Sequence, residues 1–120
     1  MKKMLMAALA GVLLAAPAIS QSWDSHDRRV EVHNKTGGTV YYLYISNVGR
    51  GIWGPDQLRS GQVIGPGERV WFNVDDGDGY CRFDFKATFS NDAVRTGMRI
   101  NVCAASHIDI TADGIFADRD

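Results

Sequence analysis

Asp75, Asp76 and Asp78 stand together in the glycine-rich stretch DDGDGY, the densest supply of hard oxygen ligands in the chain. Calcium takes six or more oxygens, several of them from carboxylates. This loop, joined by Asp56 from the long connection before it, is therefore the candidate calcium site, although the chain is read as carrying no cofactor. An EF-hand is excluded, because Val74 occupies the first ligand position and Ala87 stands where the distal glutamate belongs. The same residues need no ion to make a turn. Asp76-Gly77 and Asp78-Gly79 are both turn dipeptides and can join a strand ending at Val74 to one beginning at Tyr80.

A second set of groups combines imidazole with carboxylate. Glu31 and His33 alternate with valines, and His107 and Asp109 alternate with isoleucines. If the first and last strands are neighbours, these four side chains share a face and suit zinc or copper. A solvated polar face is the commoner reason for such residues. Nucleophilic chemistry has less support: no serine lies in a G-x-S-x-G elbow and no S-x-x-K occurs. A glycosidase would need two carboxylates held apart on a rigid scaffold, which a glycine loop does not provide. The chain reads as a protein that is not an enzyme. Aromatic residues give binding its foothold. Trp71 lies between Val70 and Phe72 on an alternating strand and points outward, where it can stack on a sugar or dock a partner protein. Trp53, in the long connection, is the second candidate for the binding surface. The packing alternative has that connection cover Trp71 while Trp53 plugs the core from above.

The elements that must position these groups are strands. Cys81, Phe83, Phe85, Ala87 and Phe89 point one way while Arg82, Asp84, Lys86 and Thr88 point the other. TVYYLYIS, QVI, ERVWFNV, AVRTGMRINV and HIDI add further strands between Gly, Pro, Asn and Asp turns. With Asn91-Asp92 as a two-residue turn, Phe89 faces Val94, Phe85 faces Met98, Phe83 faces Ile100 and Cys81 faces Val102. Cys103 then needs a bulge or bend near Val102 to reach Cys81. The long connection Asn47 to Gly61 exceeds a hairpin loop, and Pro55 to Arg59 reads as one helical turn. The expected fold is all-β, a small antiparallel β-sandwich of about six to eight strands with one disulfide.

Lys2 and Lys3, the apolar run Met4 to Ala16 and the small residues near Ser20 read as a signal peptide over residues 1–20. Export to the periplasm or the medium follows, and an oxidising compartment makes a Cys81–Cys103 bridge the default. Residues 21–29 read as a flexible N-terminal segment, 30–112 as the sandwich and 113–120 as a flexible tail. Of the 13 basic residues, removal of Lys2 and Lys3 leaves 11 against 14 acidic, so the mature formal charge is 11 − 14 = −3 with histidines neutral. That balance argues against a nucleic-acid partner. No segment after the signal is long and apolar enough to insert into a membrane.

Asn34, Thr36 and Gly37, then Tyr44 and Ser46, then Trp53, Gly54, Asp56 and Leu58, Pro66-Gly67, and finally Cys81, Phe83, Asp84 and Cys103 form a series of short motifs across nearly the whole mature chain. Their order, N-x-T-G, W-G-x-D and C-x-F-D, resembles a family of small exported proteobacterial proteins of unknown function. Members sometimes carry the name argininosuccinate lyase. That enzyme is a much longer helical protein with an active site shared between subunits, which this β-patterned chain cannot build. The reading of the sequence is thus a non-catalytic exported binding or interaction module, its partner a protein or a carbohydrate. The alternatives are a small inhibitor of a periplasmic or host enzyme, or a calcium- or metal-dependent protein.

Overall fold

Two-residue alternation sets the architecture. Phe83, Phe85, Ala87 and Phe89 are buried, and the residues between them face outward. The computed structural model describes residues 21–118, and the expected signal peptide lies outside the described residues. Those residues divide into two compact units, 21–25 with 75–79, and 26–74 with 80–118.

The larger unit carries seven strands: β1 (Arg29–Asn34), β2 (Val40–Asn47), β3 (Arg69–Asn73), β4 (Arg82–Phe89), β5 (Val94–Asn101), β6 (His107–Thr111) and β7 (Gly114–Asp118). They form a four-stranded sheet in the order β3-β1-β6-β7 and a three-stranded sheet in the order β2-β4-β5. All neighbours are antiparallel except β1 and β6, which run parallel. Val30, Val32, Ile108, Ile110 and Ile115 from the first sheet meet Leu43, Phe83, Phe85 and Ile100 from the second in one buried core. Burying each such side chain is worth roughly 1.5–3 kcal/mol before chain entropy is counted.

Two polar residues share the buried parity of β1. Arg28 is 2 % exposed, and its Nε donates to the Tyr80 carbonyl at 2.6 Å. Asn34 is fully buried. Its Nδ2 donates to the carbonyls of Gly38, Ile64 and Gly65, and its Oδ1 accepts from the Thr36 amide and hydroxyl. One side chain thereby ties two loops to the end of β1 and leaves no amide group wasted.

The β4–β5 hairpin departs from the expected register. Phe83 does face Ile100, and the Val102 amide donates to the Cys81 carbonyl at 2.8 Å. From Phe85 onward the pairing slips: Phe85 faces Gly97, Ala87 faces Arg95 and Thr88 faces Val94. The turn is one residue longer than expected, with the Phe89 amide bonded to the Ala93 carbonyl and Asp92 in the left-handed region at φ 69°. The compensating bulge lies at Met98-Arg99, with Arg99 at φ 57°, and the bend expected near Val102 is the turn that follows β5. Packing explains the slip. Gly97 faces inward against β7, where an added Cβ would overlap the Ile115 backbone, so a methionine in that place has no room. Met98 turns outward, 58 % exposed.

Cys81 and Cys103 are disulfide-bonded with Cα atoms 5.2 Å apart. A turn after β5 brings Cys103 round, its amide and that of Ala104 both donating to Asn101 Oδ1. Three further expectations are corrected. The segment read as a flexible tail forms β7, paired with β6 from Thr111–Gly114 to His107–Asp118. The QVI strand reduces to a single bridge, Val40 to Ile64. Pro55 to Arg59 is no helical turn, because Asp56 bridges to Tyr44 on the edge of β2 instead.

Candidate binding surface

The aspartate loop belongs to the smaller unit. Both Asp75 carboxylate oxygens accept from the Ser22 amide at 3.1 and 3.0 Å, and Oδ1 also accepts from the Ser22 hydroxyl at 2.8 Å and from the Gly77 amide at 3.0 Å. Asp76 Oδ1 accepts from the Asp78 amide at 3.1 Å, and the Gly79 amide donates to the Ser22 hydroxyl. The Gly77 and Asp78 bonds are turn bonds, made with Gly77 at φ 84° and Gly79 at φ 79°, whereas the Ser22 bonds tie the loop to the segment 21–25. In the larger unit, Asp56 Oδ1 accepts from the Leu43 amide at 2.9 Å and from the Leu58 amide at 3.0 Å. Its carboxylate caps the edge of β2 and closes its own loop. Among the described residues, no three His, Cys, Asp or Glu side chains group so as to hold a metal ion.

The parallel pairing of β1 with β6 satisfies the condition set for the imidazole–carboxylate group. Glu31 pairs with His107 and His33 with Asp109, so all four share the outer face of the four-stranded sheet. His107 Nε2 lies 3.6 Å from Glu31 Oε1, and His33 Nδ1 lies 4.0 Å from Asp109 Oδ1. Each carboxylate also meets a permanent cation: Arg69 at 3.5 Å from Glu31, and Lys35 at 3.0 Å from Asp109. The arrangement is a charge ladder across three strands, with cations where a metal would need open ligands. Trp71 stands on the same face, 57 % exposed, its ring edge-on to His107 with centroids 6.1 Å apart. The long connection does not cover it. At the start of β1, the exposed Asp27 carboxyl is held down to about 2, first by the Arg29 side-chain hydrogen bond and then by the Arg29 amide.

The opposite outer face, on β2-β4-β5, has a different chemistry. Cross-strand pairing sets Tyr42 beside Thr88, Tyr44 beside Lys86 and Ser46 beside Asp84. The Tyr42 and Tyr44 rings are nearly parallel, 18° apart in orientation with centroids separated by 6.5 Å. Lys86 Nζ sits 4.9 Å from the Tyr44 centroid and 5.1 Å from that of Trp53, so one ammonium bridges a strand ring and a loop ring. Trp53 is therefore drawn over the sheet face and does not plug the core. Leu58, 7 % exposed, is the residue of that loop that enters it. The loop is fixed at several points, among them Asp56, the Ser46 hydroxyl on the Ile52 carbonyl at 2.7 Å and the Gln57 amide on the Leu43 carbonyl at 2.7 Å. Beside Trp53 a cavity of about 180 Å³ opens, lined by Ser46, Asn47, Ile52, Trp53, Asp84 and Met98. Asp84 itself accepts from the Arg99 amide at 2.9 Å, which fixes its carboxylate at the bulge.

A wider cleft, about 620 Å³, opens where the ends of β5 and β7 part, with Arg82, Arg99, Asn101 and Asp118 among its walls. None of its lining residues is aromatic, and its charged walls are two arginines and one aspartate. Of the two tryptophans proposed as a binding surface, Trp53 joins the aromatic cluster and Trp71 does not. Tyr44 and Lys86 were missed as a pair, because their adjacency depends on β2 pairing with β4. The outward parity of both residues was readable, and it was the only signal present.

No protein-family model and no curated protein matches the chain. Among solved structures, the NMR structure of a protein from Eubacterium rectale matches with a TM-score of 0.55 at 17% identity, covering 82% of this chain and 95% of that one. At that identity the likeness concerns the fold alone.

Proposed function

We propose that the chain is a non-catalytic exported binding module and that its binding surface is the Tyr42, Tyr44, Lys86 and Trp53 cluster with the cavity beside it. The observation that carries this reading is the lysine held between two rings of different elements, at 4.9 and 5.1 Å. Outward aromatic residues on a rigid sheet lose little conformational freedom on binding, and a loop already tied down at Asp56 and Ser46 needs little ordering. A cavity with a fixed carboxylate at the border of such a cluster supplies the few directed polar groups that specificity needs. Export is supported by the signal-like residues 1–20 and by the disulfide. The motif resemblance to small exported proteobacterial proteins agrees with it.

Enzymatic readings have less to rest on. Asp75 holds the Ser22 amide and hydroxyl, Asp76 holds the Asp78 amide, and both carboxylates of the β1/β6 ladder face cations. An inhibitor would use the same surface, with a protein as its target, so it is one form of this reading. The test is retention. Immobilised mature protein, residues 21–120, is exposed to a cell-envelope extract beside a Lys86→Ala and Tyr44→Ala counterpart, and both proteins and glycans are identified in the eluates. The reading expects a species retained by the wild type and lost by the variant. Equal retention by the two would contradict it.

A further inference from the structure

We propose that the ligand of this surface is a neutral oligosaccharide, its pyranose rings lying along Tyr42 and Tyr44 and a hydroxyl-bearing edge reaching Asp84 in the cavity below Trp53. The proposal rests on the binding-module reading above and adds the ligand's chemistry. Three features of the patch have to be matched at once. Its rings offer negative π faces, which attract the slightly positive C–H face of a sugar ring and bury it against an apolar surface. Its two charged groups are of opposite sign and two residues apart on one strand, Asp84 and Lys86. The carboxylate only accepts hydrogen bonds and the ammonium only donates them. A ligand satisfies both when its own groups donate and accept in turn, as adjacent sugar hydroxyls do.

The charges also discriminate between ligand classes. A uronate or a phosphate would gain Lys86 but would meet the Asp84 carboxylate beside it, an unfavourable pairing in a partly dehydrated cavity. A nucleobase would stack, but a polynucleotide needs a basic track for its phosphates, and the outer face of β4 sets the Asp84 carboxylate between its two cations, Arg82 and Lys86. The border of the patch carries further small hydroxyl groups. Thr88 lies across from Tyr42, and Thr96 lies across from Lys86. The cavity, about 180 Å³, has room for a single ring and not for a folded peptide.

The proposal is tested by titrating mature protein with cello-, xylo-, manno- and galacto-hexasaccharides, with oligogalacturonate as an acidic comparison, following heat or Trp fluorescence. Tyr44→Ala, Tyr42→Ala, Asp84→Asn and the opposite-face variant Trp71→Ala are measured alongside, each first shown to melt cooperatively. At least one neutral series should bind, with Tyr44→Ala and Asp84→Asn each weakening it about tenfold or more, and Trp71→Ala leaving it unchanged. Tyr42→Ala, at a half-exposed ring, takes the place of Tyr44→Ala if that variant does not fold. Preferential binding of the oligogalacturonate, or no neutral sugar bound at all, would overturn the saccharide proposal. A Lys86-dependent protein species in the retention experiment would then leave the module reading standing alone. Sugar binding that ignores Tyr42, Tyr44 and Asp84 would overturn both.

Discussion

Asp56 shows how one side chain can settle the use of a whole connection. Its Oδ1 accepts two amides, Leu43 on the edge of β2 and Leu58 two residues further along its own loop. Removing it leaves both amides without that acceptor, so Asp56→Ala should lower stability by about 1–3 kcal/mol in urea titration, and Asp56→Asn by clearly less, because the amide oxygen still accepts. Equal losses for both would mean that charge, not acceptance, is what Asp56 supplies. Asp76 is a contrasting case. Its Oδ1 accepts the Asp78 amide, which an asparagine does equally well. Asp76→Asn should melt with the wild type in chelator and in millimolar calcium alike. A calcium-dependent rise of many degrees that this variant abolishes would mark the loop as an ion site.

The connection and the sheets divide the work between Leu58 and Trp53. Leu58 is buried in the core and Trp53 lies over Lys86 on the outer face. Leu58→Ala should therefore cost about 2–5 kcal/mol in chemical denaturation. Trp53→Ala should cost under about 2 kcal/mol, its loss consisting mainly of a partly exposed cation–π contact. The reverse order would restore Trp53 as the plug. At this scale the sequence was legible where one period governs the residues. The outward set on β4, the buried aromatic set and the two-layer all-β class follow from alternation, and the disulfide was expected from two cysteines in a chain read as exported. It failed where a partner strand decides. The register with Phe85 opposite Met98 gave every core residue but Ala87 an apolar partner, but β7 comes too close to Gly97 for that register, and β7 itself lay in what read as a tail. Arg28 and Asn34 share parity with Val30 and Val32, yet their polarity masked their burial.

At the scale of the molecule, two sheets present two unlike outer faces, and the disulfide closes the β4–β5 hairpin at its open end. The bridge spans 22 residues, so its reduction should cost about 3 kcal/mol of stability, seen as a large drop in melting temperature with reductant. An unchanged melting temperature in the fully reduced protein would show that the fold does not depend on the crosslink. The charge ladder of the four-stranded sheet neutralises itself across strands, whereas the three-stranded face concentrates aromatic rings, one ammonium and a cavity. The candidate surface was only partly legible for that reason: Trp53 stood out by type, but Tyr44 and Lys86 become one feature only through pairing. The most direct measurement is an NMR titration of isotope-labelled mature protein with the fraction eluted from the immobilised wild type. The account predicts the largest shifts at the Trp53 indole and at amides of residues 42–46 and 84–88. Shifts concentrated instead around Trp71 and His107, or in the Arg82–Asn101 cleft, would contradict it.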